Sequence, residues 1–203
     1  MIVTEGTYSV EQDLKEARAM VENLQDYLLG DQLYGSTGGG FFGGKMPSLT
    51  IGALLLRLRR LNALSASLTE SQSATLASLN ERQQALAKEW HQHYRDKMIY
   101  EVNSRLKAMD QYFSDCADDP RSCANNYLPE ALRRTIAQEL LNAIKEQAPD
   151  AVPDVQRALA KADSGLRRYT VPSDFVWSAV LSSTYPQTEY WWLYQRPNRV
   201  EKR

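Results

Sequence analysis

The sequence predicts an all-α fold, a helical bundle of about four main helices with an aromatic-rich C-terminal tail packed back on it. Apolar residues recur at steps of three and four over most of the chain, which is the period of an amphipathic helix. Residues 70–115 contain no glycine or proline. Neither an internal repeat nor an alternation of strands and helices is visible. We therefore expect one domain, with the bundle in 1–166 and the aromatic segment in 167–203.

The first helix is predicted for residues 10–29. Ser9 and Gln12 have the spacing of a capping box, and Gly30 is a suitable stop. The apolar residues of this segment follow the heptad spacing of a coiled coil, so one face should be buried. They are Val10, Leu14, Ala17, Val21, Leu24 and Leu28.

A glycine-rich loop is predicted for residues 35–46. Gly39 to Lys45 read G-x-x-x-x-G-K, the core of a phosphate-binding P-loop. However, Met46 replaces the hydroxyl residue that binds Mg²⁺, and Pro47 removes a backbone N–H. The preceding element is also a predicted helix, whereas a P-loop follows a strand. We therefore predict neither a nucleotide site nor a cofactor here.

The same loop carries Phe41 and Phe42 between its glycines. Two adjacent aromatic side chains on a glycine tether are expected to dock, either on the chain's own bundle or on a partner protein. A second interpretation is a mobile connection between two antiparallel helices. A third is a weak anion site at the start of the next helix, formed by Lys45 and free backbone amides.

The second helix is predicted to begin between Pro47 and Thr50. Arg57 and Arg60 lie three residues apart and share a polar edge of this helix. The opposite, leucine-rich face suits either a bundle core or a membrane surface, and we favour the core.

A long helical stretch is predicted for residues 70–115. Thr69 and Gln72 have capping-box spacing, although the second helix could also simply run on. An unbroken helix of this length would measure about 65 Å. Because that exceeds the span of a compact domain of this size, we expect either a kink or a projecting arm that serves dimerisation or a partner.

The C-terminal half begins with a polar loop at 114–128 and a helix after it. A shorter helix is predicted for 153–163, ending near Gly165. Ser173 is expected to cap a further helix of about ten residues. A strand is possible at 168–171. No second strand is predicted to pair with it, however, and a lone strand is not stable.

The histidines and cysteines do not predict a metal site. His91 and His93 are the two histidines of the chain, and on a helix their imidazoles would point about 200° apart. Cys116 and Cys123 are too few for a zinc site or a disulfide framework. We expect free thiols in a reducing cytosol, although a reversible disulfide across this short loop is sterically allowed.

Arginine pairs and the aromatic tail raise the alternative of nucleic-acid binding. The pairs are Arg59–Arg60, Arg133–Arg134 and Arg167–Arg168. In the tail, Trp191 and Trp192 are of the type that stacks on bases, and Arg196 of the type that contacts phosphates. We favour arginines paired with acidic residues and tryptophans that cap the bundle end, because the net charge of −1 is not that of a basic nucleic-acid binder.

Taken together, these observations predict a non-enzymatic helical module for protein–protein interaction or assembly. No nucleophile–base set or pair of catalytic carboxylates is identifiable. The partner is expected to be another protein or a second copy of the chain, and a nucleic-acid accessory role is the alternative. Residues predicted to contact the partner are Phe41, Phe42, Trp191, Trp192 and Arg196. Without a secretory signal or a membrane-spanning apolar run, the protein is expected to be cytoplasmic.

Overall fold

A computed structural model describes residues 8–37, 46–119, 123 and 126–198 of the protein. Seven α-helices dominate these residues and confirm the all-α prediction. They are α1 (Val10–Glu22), α2 (Leu24–Leu29), α3 (Ile51–Ala63), α4 (Glu70–Glu89), α5 (His91–Asp118), α6 (Tyr127–Gln147) and α7 (Val152–Tyr169). Helix α3 is central, since it packs against α1, α5 and α6, and α5 packs in turn on α6 and α7.

The predicted first helix is divided in two at Asn23. Ser9 caps α1, where its side chain accepts a hydrogen bond from the N–H of Gln12 at 3.2 Å. Asn23 leaves helical geometry at φ −100° and ψ 4°, and its amide donates to the carbonyl of Ala19 at 2.8 Å. Gly30 ends α2 as expected. Most of the heptad seam is buried in the core of the chain itself.

The long stretch predicted for 70–115 breaks at Trp90 and does not form a single straight arm. Thr69 and Gln72 form both hydrogen bonds of the predicted capping box at the start of α4. Trp90 then adopts φ −110° and ψ 38°, which ends α4 before α5 begins. Across the break, the buried Gln83 amide donates to the hydroxyl of Tyr94 at 2.8 Å. This contact holds the ends of the two helices against each other.

The predicted stop at Gly165 is wrong, because α7 continues through it to Tyr169. A Cβ at Gly165 would lie 2.4 Å from Cδ2 of the Phe113 ring on α5. This glycine therefore provides the space for a close helix–helix contact, and it does not act as a helix cap.

The helix predicted after Ser173 is also wrong. The N–H of Ser173 donates to the carbonyl of Tyr194 at 3.0 Å, and the N–H of Val176 donates to that of Leu193 at 2.8 Å. These two N–H groups thus bind carbonyl oxygens of a distant part of the chain and do not take part in a helix. What remains helical is a single 3₁₀ turn at Ala179–Leu181.

The strand considered near 168–171 does have a partner. Strand β1 (Thr170–Pro172) pairs antiparallel with β2 (Gln195–Pro197), with Val171 opposite Arg196. Residues 170–198, called the aromatic segment from here on, thereby fold back onto the bundle as predicted. Tyr127 of α6 helps to hold this segment, since its hydroxyl donates to the carbonyl of Trp192.

Cys116 and Cys123 form a disulfide, with Cα atoms 4.8 Å apart. The expectation of free thiols is therefore wrong for this structure. Tyr112, one turn before Cys116 on α5, donates its hydroxyl to the carbonyl of Cys123 at 2.7 Å. The disulfide and this hydrogen bond together fix residue 123 to the end of α5.

Candidate functional site: an arginine-lined groove

A groove of about 740 Å³ lies between α3 and α6 and is bordered by the aromatic segment. It is called the α3–α6 groove from here on. The residues that line it are Tyr8, Tyr34, Pro47, Ser48, Thr50, Ala53, Leu56, Arg57, Arg60, Arg105, Leu128, Pro129, Leu132, Ile136, Val176, Trp177, Ser178 and Leu181. Binding sites for organic ligands and peptide side chains commonly have about this volume, ~300–1,000 Å³.

The groove has apolar walls and an open apolar rim. Leu56 of α3 and Ile136 of α6 form part of its buried floor. At its rim, the side chains of Tyr34 and Leu132 remain 52% and 37% exposed. Large apolar residues that are grouped around a concavity and left exposed are typical of surfaces that bind a partner.

The charged residues that line the groove are three arginines. Arg57 and Arg60 come from successive turns of α3, and Arg105 comes from α5. Among the lining residues within the described ranges there is no aspartate or glutamate. The acidic partners of these arginines, Asp13, Glu16 and Glu101, are not among the lining residues.

Arg105 is held by Glu101, a carboxylate that is 0% exposed. Glu101 Oε1 accepts from Nε of Arg105 at 2.8 Å, and Glu101 Oε2 accepts from the backbone N–H of Gly52 at 2.8 Å. Arg105 Nη2 also donates to the hydroxyl of Thr50 at 3.2 Å. One buried carboxylate therefore connects α5 to the first turn of α3 and orients an arginine toward the groove.

The close approach of Glu101 to α3 requires a glycine at position 52. A Cβ there would lie 2.5 Å from Cγ2 of Ile136 and 2.8 Å from Oε1 of Glu101. Real Cβ atoms essentially never come this close to another heavy atom. Gly52 thus sets the distance between α3, α5 and α6 at the floor of the groove.

These contacts also bear on the anion site considered at the start of the second helix. The N–H of Gly52 is already bound by Glu101, and the N–H of Ala53 donates to the side chain of Thr50 at 3.2 Å. The chain's own carboxylate thus occupies the position that an external anion would take. Lys45, the other part of that interpretation, lies outside the described residues.

Arg57 is fully engaged by its neighbours. Its Nε and Nη2 both lie 2.6 Å from Oε2 of Glu16, and its Nη1 donates to the carbonyl of Ala53 at 2.8 Å. Asp13 lies farther from this guanidinium, at 3.9 Å from Nε. Arg57 consequently stabilises the α1–α3 contact more than it exposes donors to the groove.

Arg60 is positioned mainly by aromatic rings. Its guanidinium carbon lies 4.8 Å from the centre of the Trp177 ring, and its Nε donates to the Tyr185 hydroxyl at 3.2 Å. Asp13 Oδ2 is 3.8 Å from its Nη1, a distance that permits charge attraction but not a hydrogen bond. Burial raises the pKa of Asp13, and the nearby Arg60 and Arg57 only partly offset that rise.

Three of the five predicted partner-contact residues lie in the described part of the chain, and they differ in exposure. Phe41 and Phe42 lie outside the described residues. Trp192 is 1% exposed, and its indole N–H donates to the hydroxyl of Thr135 at 2.9 Å, so this side chain belongs to the core of the chain. Trp191 is half-buried and Arg196 is exposed on β2.

The arginine pairs contact the chain's own acidic and aromatic groups. Arg134 donates to both carboxylate oxygens of Asp163, at 2.6 and 3.1 Å, and its guanidinium lies 3.8 Å from the centre of the Trp192 ring. Arg167 lies 3.9 Å from the centre of the Trp191 ring. The predicted pairing with acidic residues is thus observed, although the acid that binds Arg134 comes from another helix.

Neither histidine belongs to a metal-binding cluster among the residues that the structure describes. His91 and His93 are exposed, and the ring of His93 packs edge-on against Trp90 at 5.9 Å. Across the described residues, His, Cys, Asp and Glu side chains form no group of three or more that could hold a metal ion.

Within the same ranges, each helix is too short or too polar to cross a bilayer.

No family model matches the chain, and comparisons with curated proteins and with solved structures found no match. The α3–α6 groove is therefore interpreted from its own geometry. Sequence reasoning placed Arg57 and Arg60 on one helix edge, but it did not place that edge beside α6. The i,i+3 spacing of the two arginines was the available signal.

Proposed function

We propose that this chain is a non-enzymatic helical module that binds a segment of a partner protein in the α3–α6 groove. The observation that supports this most directly is the open apolar rim, where Leu132 and Tyr34 are exposed beside a concave, largely apolar floor. Burial of such a surface contributes about 25 cal/mol per Å² of apolar area, which favours association. An amphipathic segment seated in a groove is a common form of peptide recognition.

The chemistry of the lining supports binding more than catalysis. Its charged groups are guanidinium ions, which stay protonated and cannot act as general bases. Its hydroxyls, on Ser48 and Ser178 for example, have no histidine or carboxylate beside them among the lining residues described. The non-enzymatic assignment itself is part of the proposal.

Nucleic-acid binding is the less favoured alternative. One face of the Trp191 ring and one face of the Trp192 ring are each covered by an arginine of the same chain, at 3.9 and 3.8 Å from the ring centres, and Trp192 is buried. A base could not stack on these covered faces without displacing the arginines. The aromatic segment would thus offer a nucleic acid little beyond the exposed Arg196.

The cytoplasmic location expected from the sequence stays a prediction. The disulfide between Cys116 and Cys123 weighs against it, because disulfides persist mainly in oxidising compartments.

Two leucines provide a matched test of the binding proposal. Leu132 lies at the groove rim and is 37% exposed, whereas Leu29 of α2 is 45% exposed and does not line the groove. The full chain and its Leu132→Ser and Leu29→Ser variants would each be used to capture proteins from an extract of the native host. We expect the same proteins with the unmodified chain and Leu29→Ser, and their loss with Leu132→Ser.

Two results would overturn the proposal. One is capture of the same proteins by Leu132→Ser in the same amounts, and the other is the absence of any captured protein when the chain is folded. If the partner is a second copy of the chain, the purified protein in solution should have twice the mass of one chain. Leu132→Ser should return it to the monomer, whereas Leu29→Ser should not.

A further inference from the structure

We propose that the partner segment carries a carboxylate beside its apolar face, and that this carboxylate binds Arg60. The inference rests on the proposed function, because it names the chemistry of the segment that fills the α3–α6 groove. Among the three arginines that line the groove, Arg60 makes the fewest hydrogen bonds to described residues.

The three arginines of the groove differ in how many donors they have left. Arg57 uses Nε, Nη1 and Nη2 within the chain, and Arg105 uses Nε and Nη2. Arg60, in contrast, makes one hydrogen bond among those of the described residues, from Nε to Tyr185. Its Nη2 makes no hydrogen bond or ion pair within the described residues, and its Nη1 lies 3.8 Å from Oδ2 of Asp13, too far for a hydrogen bond. Both terminal nitrogens therefore keep hydrogen-bond donors for a carboxylate, which binds guanidinium best through two parallel bonds.

Arg60 is also held in place before any partner arrives. Its guanidinium is stacked over Trp177 at 4.8 Å and fixed at Nε by Tyr185. The loss of side-chain freedom on binding is therefore small. Its side chain is only 15% exposed, so an ion pair formed there is shielded from water and is stronger than a pair on the open surface.

The surroundings favour an acidic protein segment over other occupants. The lining residues described include no carboxylate, although the buried Asp13 lies 3.8 Å from Nη1 of Arg60, and the lining also contains apolar side chains of α6 and the aromatic segment. A small molecule usually has most of its surface enclosed, whereas the exposed Tyr34 and Leu132 leave this groove open. A segment with an apolar face and a carboxylate at its edge matches both properties.

The probe for this inference is a displayed library of random 16-residue peptides. It would be selected on the full-length chain and, separately, on the Arg60→Gln variant. Peptides from the unmodified chain should combine apolar residues with Asp or Glu at one recurrent position. That acidic preference should disappear from peptides selected on Arg60→Gln.

Affinity measurements then test the pair itself. A selected peptide would be labelled with fluorescein, and its binding followed by fluorescence anisotropy beside a version with the recurrent Glu replaced by Gln. On the unmodified chain we expect the Gln version to bind about tenfold more weakly, the effect of losing a charge-assisted hydrogen bond. On Arg60→Gln the two versions should bind equally, and Arg60→Lys should restore part of the preference.

The outcomes separate this inference from the proposed function. Peptides that bind the unmodified chain, are lost on Leu132→Ser and show no acidic preference would refute the inference and leave the function standing. An acidic preference that survives in Arg60→Gln would refute the assignment to Arg60. If the folded chain selects no peptide, both proposals fail. Circular dichroism would establish that each variant is folded, and Arg60→Lys carries the test if Arg60→Gln does not fold.

Discussion

Replacing Gly52 by alanine should destabilise the protein, although alanine is the better helix former. The added Cβ would meet Cγ2 of Ile136 at 2.5 Å, Oε1 of Glu101 at 2.8 Å and Cδ1 of Leu140 at 3.0 Å. Ile136 and Leu140 belong to α6 and Glu101 to α5, so α3 cannot move away from one contact without losing another. All three neighbours are also buried side chains.

The magnitude follows from three terms. Helix propensity favours alanine over glycine by about 1 kcal/mol. Overpacking a filled core costs about 1–3 kcal/mol. If α3 shifts enough to break the bond from the Gly52 N–H to the Glu101 carboxylate, which is 2.8 Å long, a further ~1.5–3 kcal/mol is lost. When all three terms apply, we therefore expect a net loss of about 1.5–5 kcal/mol in the free energy of unfolding.

Urea unfolding followed by circular dichroism would measure this loss. The control is a double-mutant cycle with Ile136→Ala, which removes the Cγ2 atom that the new Cβ would meet. Gly52→Ala should cost less in the Ile136→Ala background by about 1 kcal/mol or more, because part of the clash is gone. A Gly52→Ala variant as stable as the unmodified chain, or more so, would refute the close approach of α3, α5 and α6 at the groove floor.

Two further predictions concern stability. Reducing the Cys116–Cys123 disulfide, with its sequence separation of 7, should lower the free energy of unfolding by about 2.5 kcal/mol through greater entropy of the unfolded chain. Protein isolated from its host with thiols blocked at lysis should carry this bond, and equal melting temperatures with and without reductant would contradict the prediction. Burial raises the pKa of Glu139 above its ordinary value of 4.5, despite the opposing charge of Arg59. Because the folded state then binds a proton at Glu139 more tightly than the unfolded state, the contribution of Glu139 to stability should fall as pH rises from 4.5 through its raised pKa. Urea unfolding across this range should show a shallower fall for Glu139→Gln, and identical slopes would contradict the assignment.

The elements that could be predicted from sequence are those fixed by short-range contacts. The capping box of Thr69 and Gln72 and the cap of Ser9 depend on residues three apart, and both are formed. The all-α class follows from the apolar period, which survives even where α4 and α5 break at Trp90. Local hydrogen bonding and periodicity are readable because they need no knowledge of the rest of the chain.

The predictions that were wrong depended on distant contacts. Gly165 resembles a helix stop, but the Phe113 ring that requires a glycine there lies on another helix. Ser173 resembles a helix cap, but its N–H is bound by the carbonyl of Tyr194. In both cases the local signal was real and a tertiary contact determined its use.

The α3–α6 groove could not be predicted for the same reason. Arg60 and Leu132 belong to different helices, and Trp177, which supports Arg60, lies in a third region of the chain. The sequence indicated a polar edge and an apolar face separately. Only their packing forms a concave surface with an arginine in it. Contact of Phe41 and Phe42 with a partner stays a prediction, as does that of Trp191 and Arg196.

The most direct test of the groove as a binding site is photocrosslinking in the native host. A photoactivatable amino acid would replace Leu132 at the rim or, as the control, Leu29 on α2. Irradiation should join position 132 to a defined protein, or to a second copy of the chain, and should give no such product at position 29. The same product at both positions, or none at position 132 in a folded protein, would contradict binding in the α3–α6 groove.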